Sequence, residues 1–506
     1  MNNSINTEEE FSVTMMKRVR ALETELITTI RQRLGLDIHK HQVDILHKTV
    51  LDACQKFNLE PEAYLSMLTS CANNSEILEQ LVTKITIGET YFFRDQKQMN
   101  LLRNQILPTL IQTKREQKNL SLRIWSAGCA SGEELYSIAI MLKQLLPDIN
   151  QWTLHLLGTD INTHVLKKAL DGIYSEWSMR GVDDTIKETW FTRTDANYRL
   201  SPDILPMGEF LYLNLNDSLY PSILNGTNAQ DLIICRNVLI YFDKNNTNRV
   251  MKKLNQSLVE GGYLILGASD PVDLTGTDLI FHHQSGLLFE RPRIKAFSLK
   301  QTTPKIHEKT SHKIQGLAQP IANLTPAIVK PAIPINTDVI SKLLNESRWQ
   351  DTLDAIEIYK NATQSAFLSV AEATALANLG ELEKATELCE QSLKLDATNK
   401  DTHILFAMIL IELNQLQKAE NELKNALFLD RSYVIAHFQL GLLQLRMHQL
   451  DAGIKSLKNA LTIAATQNTS DTVPGAIGLN YGRLTDILKH ELELHVTSGS
   501  LNNANR

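Results

Sequence analysis

Two acidic residues, Glu133 and Glu134, close a run of small residues in SAGCASGEE (126–134). The run starts where an apolar, strand-like stretch ends (Leu122, Ile124, Trp125), and a helical pattern follows it. Small residues there let a ligand approach the main chain, and the first turn of the helix offers free N–H groups. In a dinucleotide site that arrangement cradles a pyrophosphate. Here the pattern is not GxGxxG, and carboxylates stand where a phosphate would be repelled. A cationic or polyhydroxyl ligand suits the chemistry better; the alternative is a turn that merely packs small side chains. Asp160 ends the next apolar run, in LHLLGTDIN. It is placed to accept hydroxyls from a ligand lying across the strand ends, or to cap the helix that follows.

These groups need elements to hold them. Residues 11–82 carry apolar positions at helical spacing, with Gly35 closing one helix and Pro61 near the start of another. Between about 121 and 292, strand-like runs (SLRIW, WTLHLLGTD, FLYLNL, DLIICRN, GYLILGAS, GLLFERP) mostly alternate with helical ones. That predicts a mainly parallel sheet between helices, with the last strand antiparallel because only a short loop region precedes it. Residues 296–336 hold several prolines and no sustained periodicity, and read as a flexible linker that lets the next region move. That region repeats. LGELEKATELCEQSLKLD (379–396), LNQLQKAENELKNALFLD (413–430) and RMHQLDAGIKSLKNALTI (446–463) superpose at a period of 34. Leu382, Leu416 and Leu450 align, as do Ala385, Ala419 and Gly453. The period, with small residues at helix crossings, resembles the tetratricopeptide (TPR) repeat, an α-solenoid. Segment 337–361 reads as a degenerate first repeat and 478–495 as a capping helix.

TIGETYFFRD (86–95) and DLIICRNVLIYFD (231–243), with SAGCASGEELYSIAI, GTDIN, FLYLNL, GGYLILGASD and GLLFERP in order, resemble the signatures of the CheR family. Its members are S-adenosylmethionine (AdoMet)-dependent methyltransferases that modify glutamates of chemotaxis receptors. The likeness spans about 15 to 292. It implies an α/β class I AdoMet-dependent methyltransferase (Rossmann-like) domain at 96–295, with a small β subdomain at about 172–213. An all-α domain at 11–95 precedes it, and the α-solenoid TPR domain at 337–495 follows. AdoMet offers both features that SAGCASGEE asks for: a sulfonium and an amino group, and ribose hydroxyls.

The resemblance also assigns roles. Thr90 and Arg94 would touch the methionine end of the cofactor, and Glu133, with Glu134 beside it, would meet the first-motif face. Asp160 would bind the ribose, Asn214 and Leu215 would frame the adenine, and Arg236 and Asn237 would line the pocket. Tyr241 would sit near the methyl group; Arg94 and Tyr241 are the candidate catalytic residues. The chain departs from the family at Gly88, where an asparagine and its cofactor hydrogen bond are usual, and at Leu135, where a proline is usual.

The expected function is methyl transfer from AdoMet to glutamate carboxylates of methyl-accepting chemotaxis receptors, with the TPR repeats docking or regulating an unknown protein partner. The alternatives are an AdoMet methyltransferase with a different acceptor, and a catalytically weak TPR scaffold, for which Gly88 is the support. A net charge of −6 argues against general affinity for nucleic acid, so membrane contact is expected only through the receptor. The polar start MNNSINTEEE is no signal peptide, and the five cysteines form no CxxC pair, which fits a reducing cytoplasm. Cys129 and Cys235 read as pocket-lining residues rather than nucleophiles. His39 and His41 are two apart and fall on different faces of a helix, so no metal is expected.

Overall fold

The computed structural model describes residues 13–70, 76–86, 88–217, 219–282, 287–293, 337–359, 365–476 and 479–502. The expected linker at 296–336 lies outside them. At the N-terminal end, helices Glu23–Leu34, Val43–Phe57, Pro61–Ser70 and Glu76–Ile85 bury Leu26, Ile30, Leu46, Val50, Tyr64 and Leu81 in one core. The first of them stops at Gly35, whose φ of 76° suits a residue without a side chain. This core closes at Ile85, whereas Phe92 and Phe93 belong to the core of the sheet. The packing boundary therefore precedes the expected one at 95, because the aromatic pair of GETYFFRD is spent on the sheet.

Among the described residues ten strands follow: β1 Ser121–Ala127, β2 Thr153–Asp160, β3 Ile173–Ser175, β4 Phe191–Arg193, β5 Asn197–Leu200, β6 Gly208–Tyr212, β7 Gln230–Cys235, β8 Leu258–Leu266, β9 Ile280–His282 and β10 Leu287–Glu290. Among the described residues, seven form one sheet in the order β6-β2-β1-β7-β8-β10-β9. Its first five strands are parallel; β10 runs antiparallel to both β8 and β9, as its short connection predicts. Successive residues of β1 serve opposite faces, Leu122 and Ile124 on one and Trp125 and Ala127 on the other, so the strand buries apolar side chains on both. The β subdomain is the antiparallel set β3-β5-β4. It does not extend to 213 as expected: β6 pairs with β2 and forms the edge of the main sheet.

Helix pairs Thr337–Asn345/Trp349–Glu357, Ala366–Asn378/Leu382–Leu395, Lys400–Glu412/Leu416–Leu429 and Val434–Arg446/Leu450–Ala464 build the repeat array, and helix Tyr481–Asn502 ends it. The array is not free of the sheet. Among the described residues, the connection from β6 to β7 holds only the short 3-10 turn Ile223–Asn225. On that face the sheet's own helix Lys244–Ser257 packs Val250, Met251 and Leu254 into the core beside β7 and β8, and the β6 and β2 part still needs the apolar cover that parallel strands require on both faces. The repeats supply it. Leu211 and Leu213 share a cavity wall with Ile435, Phe438 and Leu442, and Ile223 joins the hydrophobic core of the array. Polar contacts pin the seam. Arg123 of β1 pairs with buried Glu412, whose carbonyl lies 3.1 Å from Nε2 of His155. The Ile223 N–H donates to Oδ1 of Asn378 at 3.0 Å, and Gln439 donates to the Leu224 carbonyl at 3.2 Å. The expectation that the repeats move freely against the catalytic unit is corrected by this packing. None of the helices among the described residues is long and apolar enough to cross a membrane.

Candidate active site

A cavity of about 200 Å³ opens over the C-terminal ends of β1, β2, β6 and β7, against the N-terminal bundle. Ligands bind at this end of an open parallel sheet because the chain reverses its strand order there. The turn after β1 forms the floor. Gly128 and Gly132 both have positive φ, 78° and 87°, and a Cβ on Gly128 would lie 2.4 Å from Val238. Only glycine permits that approach. Asp160, at the end of β2, accepts the N–H of Ala130 at 3.0 Å and that of Asn162 at 2.9 Å, one on each oxygen. Burial pushes its pKa up, and these N–H bonds oppose the shift. A carboxylate has about four lone-pair sites, so Asp160 keeps acceptor capacity toward the cavity it lines.

Glu134 and Arg236 form the charged wall. Nη1 of Arg236 donates to Glu134 Oε2 at 3.1 Å, Nη2 donates to the Arg94 carbonyl at 2.9 Å, and Oε1 of Glu134 accepts from Ser126 at 2.7 Å. The buried guanidinium thus holds the acid and the GETYFFR turn together. In that turn Phe92 enters the β subdomain, edge-on to Tyr174 and Phe191 with ring centroids 4.8 and 4.9 Å away. Thr90 and Arg94 remain on the cavity wall, and Arg94 donates to the Glu89 carbonyl. Tyr241 is half-buried on the same wall, and burial raises its phenol pKa. Leu213, Asn214 and Leu215 continue β6 along the far side.

Gly88, Thr90, Arg94, Asp160, Asn214, Leu215, Arg236, Asn237 and Tyr241 therefore all line one cavity, while Glu133 does not. Glu133 is 2% exposed and faces the β subdomain, accepting from Ser131 at 2.8 Å and Ser178 at 3.0 Å. Adjacent helical residues point about 100° apart, so only one acid of the pair reaches the cavity, and it is Glu134. Cys129 lines the cavity, whereas Cys235 stays in the core; burial pushes both thiols well up. Asp270 was not singled out in the sequence. It accepts the N–H groups of Asn237 at 2.6 Å, Val238 at 3.0 Å, Ile240 at 3.3 Å and Gly267 at 2.8 Å. It shapes the whole turn after β7, including Asn237 at φ 57°. The signal was the acid that ends GGYLILGASD, just past a strand whose neighbour carries the pocket.

The donor set fits AdoMet: carboxylates at 134 and 160 for cation and hydroxyls, Arg94 for a carboxylate, and leucines at 213 and 215 for a flat base.

Comparison with known proteins agrees. Residues 88–285 match the family described as CheR methyltransferase, SAM binding domain, and residues 376–436 match the tetratricopeptide repeat. The chain is 36% identical to the chemotaxis protein methyltransferase of Borreliella burgdorferi, over 41% of this chain and 73% of that protein. It is 34% identical to chemotaxis protein methyltransferase 2 of Vibrio cholerae, over 43% of this chain and 73% of that protein. The repeat region is similar to the solved TPR domain of Sgt2 from Aspergillus fumigatus, at 20% identity and a TM-score of 0.23, over 28% of this chain and 83% of that one.

Proposed function

Because this chain belongs to the chemotaxis protein methyltransferases, we propose that its cavity binds AdoMet and serves the methylation of glutamate side chains on methyl-accepting chemotaxis receptors. The observation that carries the reading is the convergence of Thr90, Arg94, Glu134, Asp160, Asn214, Arg236 and Tyr241 on one cavity from five separate segments. When bound, AdoMet supplies an electrophilic methyl group on a sulfonium. The chain's own residues bind and orient. Asp160 takes the ribose hydroxyls, and Glu134, held by Arg236, faces the cationic end. Thr90 and Arg94 hold the methionine end, Leu213 and Leu215 pack on the adenine beside Asn214, and Asn237 completes the wall. Gly88 offers only main chain.

The acceptor needs no general base, since a glutamate carboxylate with a reference pKa near 4.3 is already ionised at neutral pH. The protein's task is alignment of that oxygen with the S–CH3 bond and exclusion of water. Methyl transfer neutralises both charges, so a dry cavity favours it over bulk water. Tyr241 closes the cavity near the reacting methyl. The TPR repeats face a protein partner of the enzyme, which works in the cytoplasm and meets the membrane through the receptor.

The test is methyl transfer from labelled AdoMet to receptor-containing membranes, with calorimetry of AdoMet binding alongside. Base-labile label on a receptor band, abolished together with binding by Asp160→Ala and reduced at least tenfold by Arg94→Ala (about 1.4 kcal/mol), is the expected result. AdoMet binding without receptor label would overturn the acceptor, and absence of binding would overturn the site.

A further inference from the structure

The wall that frames the adenine is held partly from outside the methyltransferase domain. Leu213, Asn214 and Leu215 leave the end of β6 and enter a turn closed by the Asp217 N–H, which donates to the Asn214 carbonyl at 2.9 Å. The Asn214 side chain accepts the N–H of Asn216 at 2.9 Å, and the Tyr220 hydroxyl donates to the Leu215 carbonyl at 2.7 Å. Among the described residues, no strand or α-helix of the methyltransferase domain follows until β7. From inside the domain, Lys253 donates to the Asp217 carbonyl; from outside it, the C-terminal helix Tyr481–Asn502 grips the same turn. Its Arg483 forms an ion pair with Asp217, the two side chains being 19% and 13% exposed. One helical stretch further on, His490 stacks on Tyr212, the last residue of β6, with ring centroids 4.6 Å apart and planes 27° from parallel. His490 is itself 3.1 Å from Glu79 of the N-terminal bundle. The start of the helix is fixed in turn, because Asn480 Oδ1 accepts the Arg483 N–H at 2.8 Å.

We propose that Arg483 is a positioning residue for the cofactor: through Asp217 it sets the turn that carries Asn214 and Leu215, so the repeat domain contributes to AdoMet affinity without touching AdoMet. The inference rests on the reading of this cavity as the AdoMet site. A buried ion pair on a turn acts on the turn's geometry, and a shift of the wall weakens binding of the base that packs against it. The methyl-transfer geometry at Arg94 and Tyr241, on the opposite side of the cavity, is untouched.

The experiment uses the full chain. AdoMet Kd is measured by calorimetry, and KM and kcat with receptor-containing membranes, for wild type, Arg483→Ala, Arg483→Lys and Glu412→Gln. The last variant loosens the same domain seam at Arg123, away from the wall. Arg483→Ala should raise Kd and the KM for AdoMet by about five- to tenfold, the range of one ordinary net hydrogen bond, because the pair acts on the wall and not on AdoMet directly. Its kcat at saturating AdoMet should stay within about twofold, and lysine should restore most of the affinity. Glu412→Gln should lower the melting temperature and leave Kd unchanged. Equal effects of Arg483→Ala and Glu412→Gln on Kd, or an unchanged Kd in folded Arg483→Ala, would overturn the proposal. If Arg483→Ala does not fold, Asp217→Asn removes the same pair from the other side and is read by the same outcomes. Wild type that fails to bind AdoMet would instead sink the site assignment itself.

Discussion

Gly88 is the residue at which this chain gives up a side chain on its own cavity. A Cβ there would meet nothing nearer than Val165 Cγ1 at 3.6 Å, and the backbone is not in the left-handed region. The position therefore has room for the asparagine that the family usually carries. Gly88→Asn should lower the AdoMet Kd by about three- to tenfold, one net hydrogen bond, and calorimetry would show it; a weaker or equal Kd would mean that the wall lies too far from the ligand. Asp270 makes the opposite case. Removing its carboxylate takes a partner from four N–H groups, one buried and three partly buried. Asp270→Ala should cost about 3 kcal/mol or more in denaturant unfolding and weaken AdoMet binding as the turn at Asn237 relaxes. At this scale the sequence was informative where chemistry sat in contiguous strings. GETYFFR, GTDIN and CRNVLIYFD each delivered residues that reach the cavity. The choice between Glu133 and Glu134 was not legible, because it depends on the rotation of one helix about its axis.

Among the elements, the C-terminal helix carries the clearest electrostatic consequence. Burial pushes the carboxyl of Glu491 up to about 8, with the Glu209 carboxylate on β6 the lesser cause. On the same helix, His495 lies 3.8 Å from Glu491, and burial pulls its pKa down, so no protonated imidazole offsets the shift. The folded state keeps a proton that the unfolded chain, with an ordinary value of 4.5, releases. Its contribution to stability is complete below pH 4.5 and is lost as pH rises through about 8. The slope in that window is at most about 1.4 kcal/mol per pH unit for one proton. Thermal melts from pH 5 to 8.5 should show a fall that Glu491→Gln flattens; parallel curves for the two proteins would refute the assignment. The repeat helices themselves were readable from the 34-residue period, since Ala385, Ala419 and Gly453 must be small where helices cross. What those helices pack against was not. Periodicity reports which face of a helix is buried and is silent on the surface that buries it.

For the molecule as a whole, the repeat array completes, beside helix Lys244–Ser257, one of the two layers that a parallel sheet requires. The absence of a helix between β6 and β7 was visible in the sequence as a long stretch, DSLYPSILNGTNAQ, without helical spacing. Its meaning needed the three-dimensional partner, more than 150 residues away along the chain. A protease site engineered at residue 310 should yield two fragments that still co-elute in gel filtration and stay together in high salt, because apolar contacts such as Ile223 within the repeat core are not screened. Separation of the fragments would show that the covalent tether, and not the seam, holds the halves together.

Arg123 has one further consequence, and it concerns descent. Its guanidinium leaves β1, the middle one of the five parallel strands, donates to the carbonyls of Gly226 and Asn228, and ends on Glu412 of the repeats. A methyltransferase without the repeats would expose this arginine to no partner from that side. The repeats therefore cannot be inherited as an exchangeable cassette: gaining or losing them obliges the sheet to change with them. In aligned relatives, arginine at this position should accompany an acid at the site of Glu412 and be uncommon in chains that stop at the methyltransferase domain.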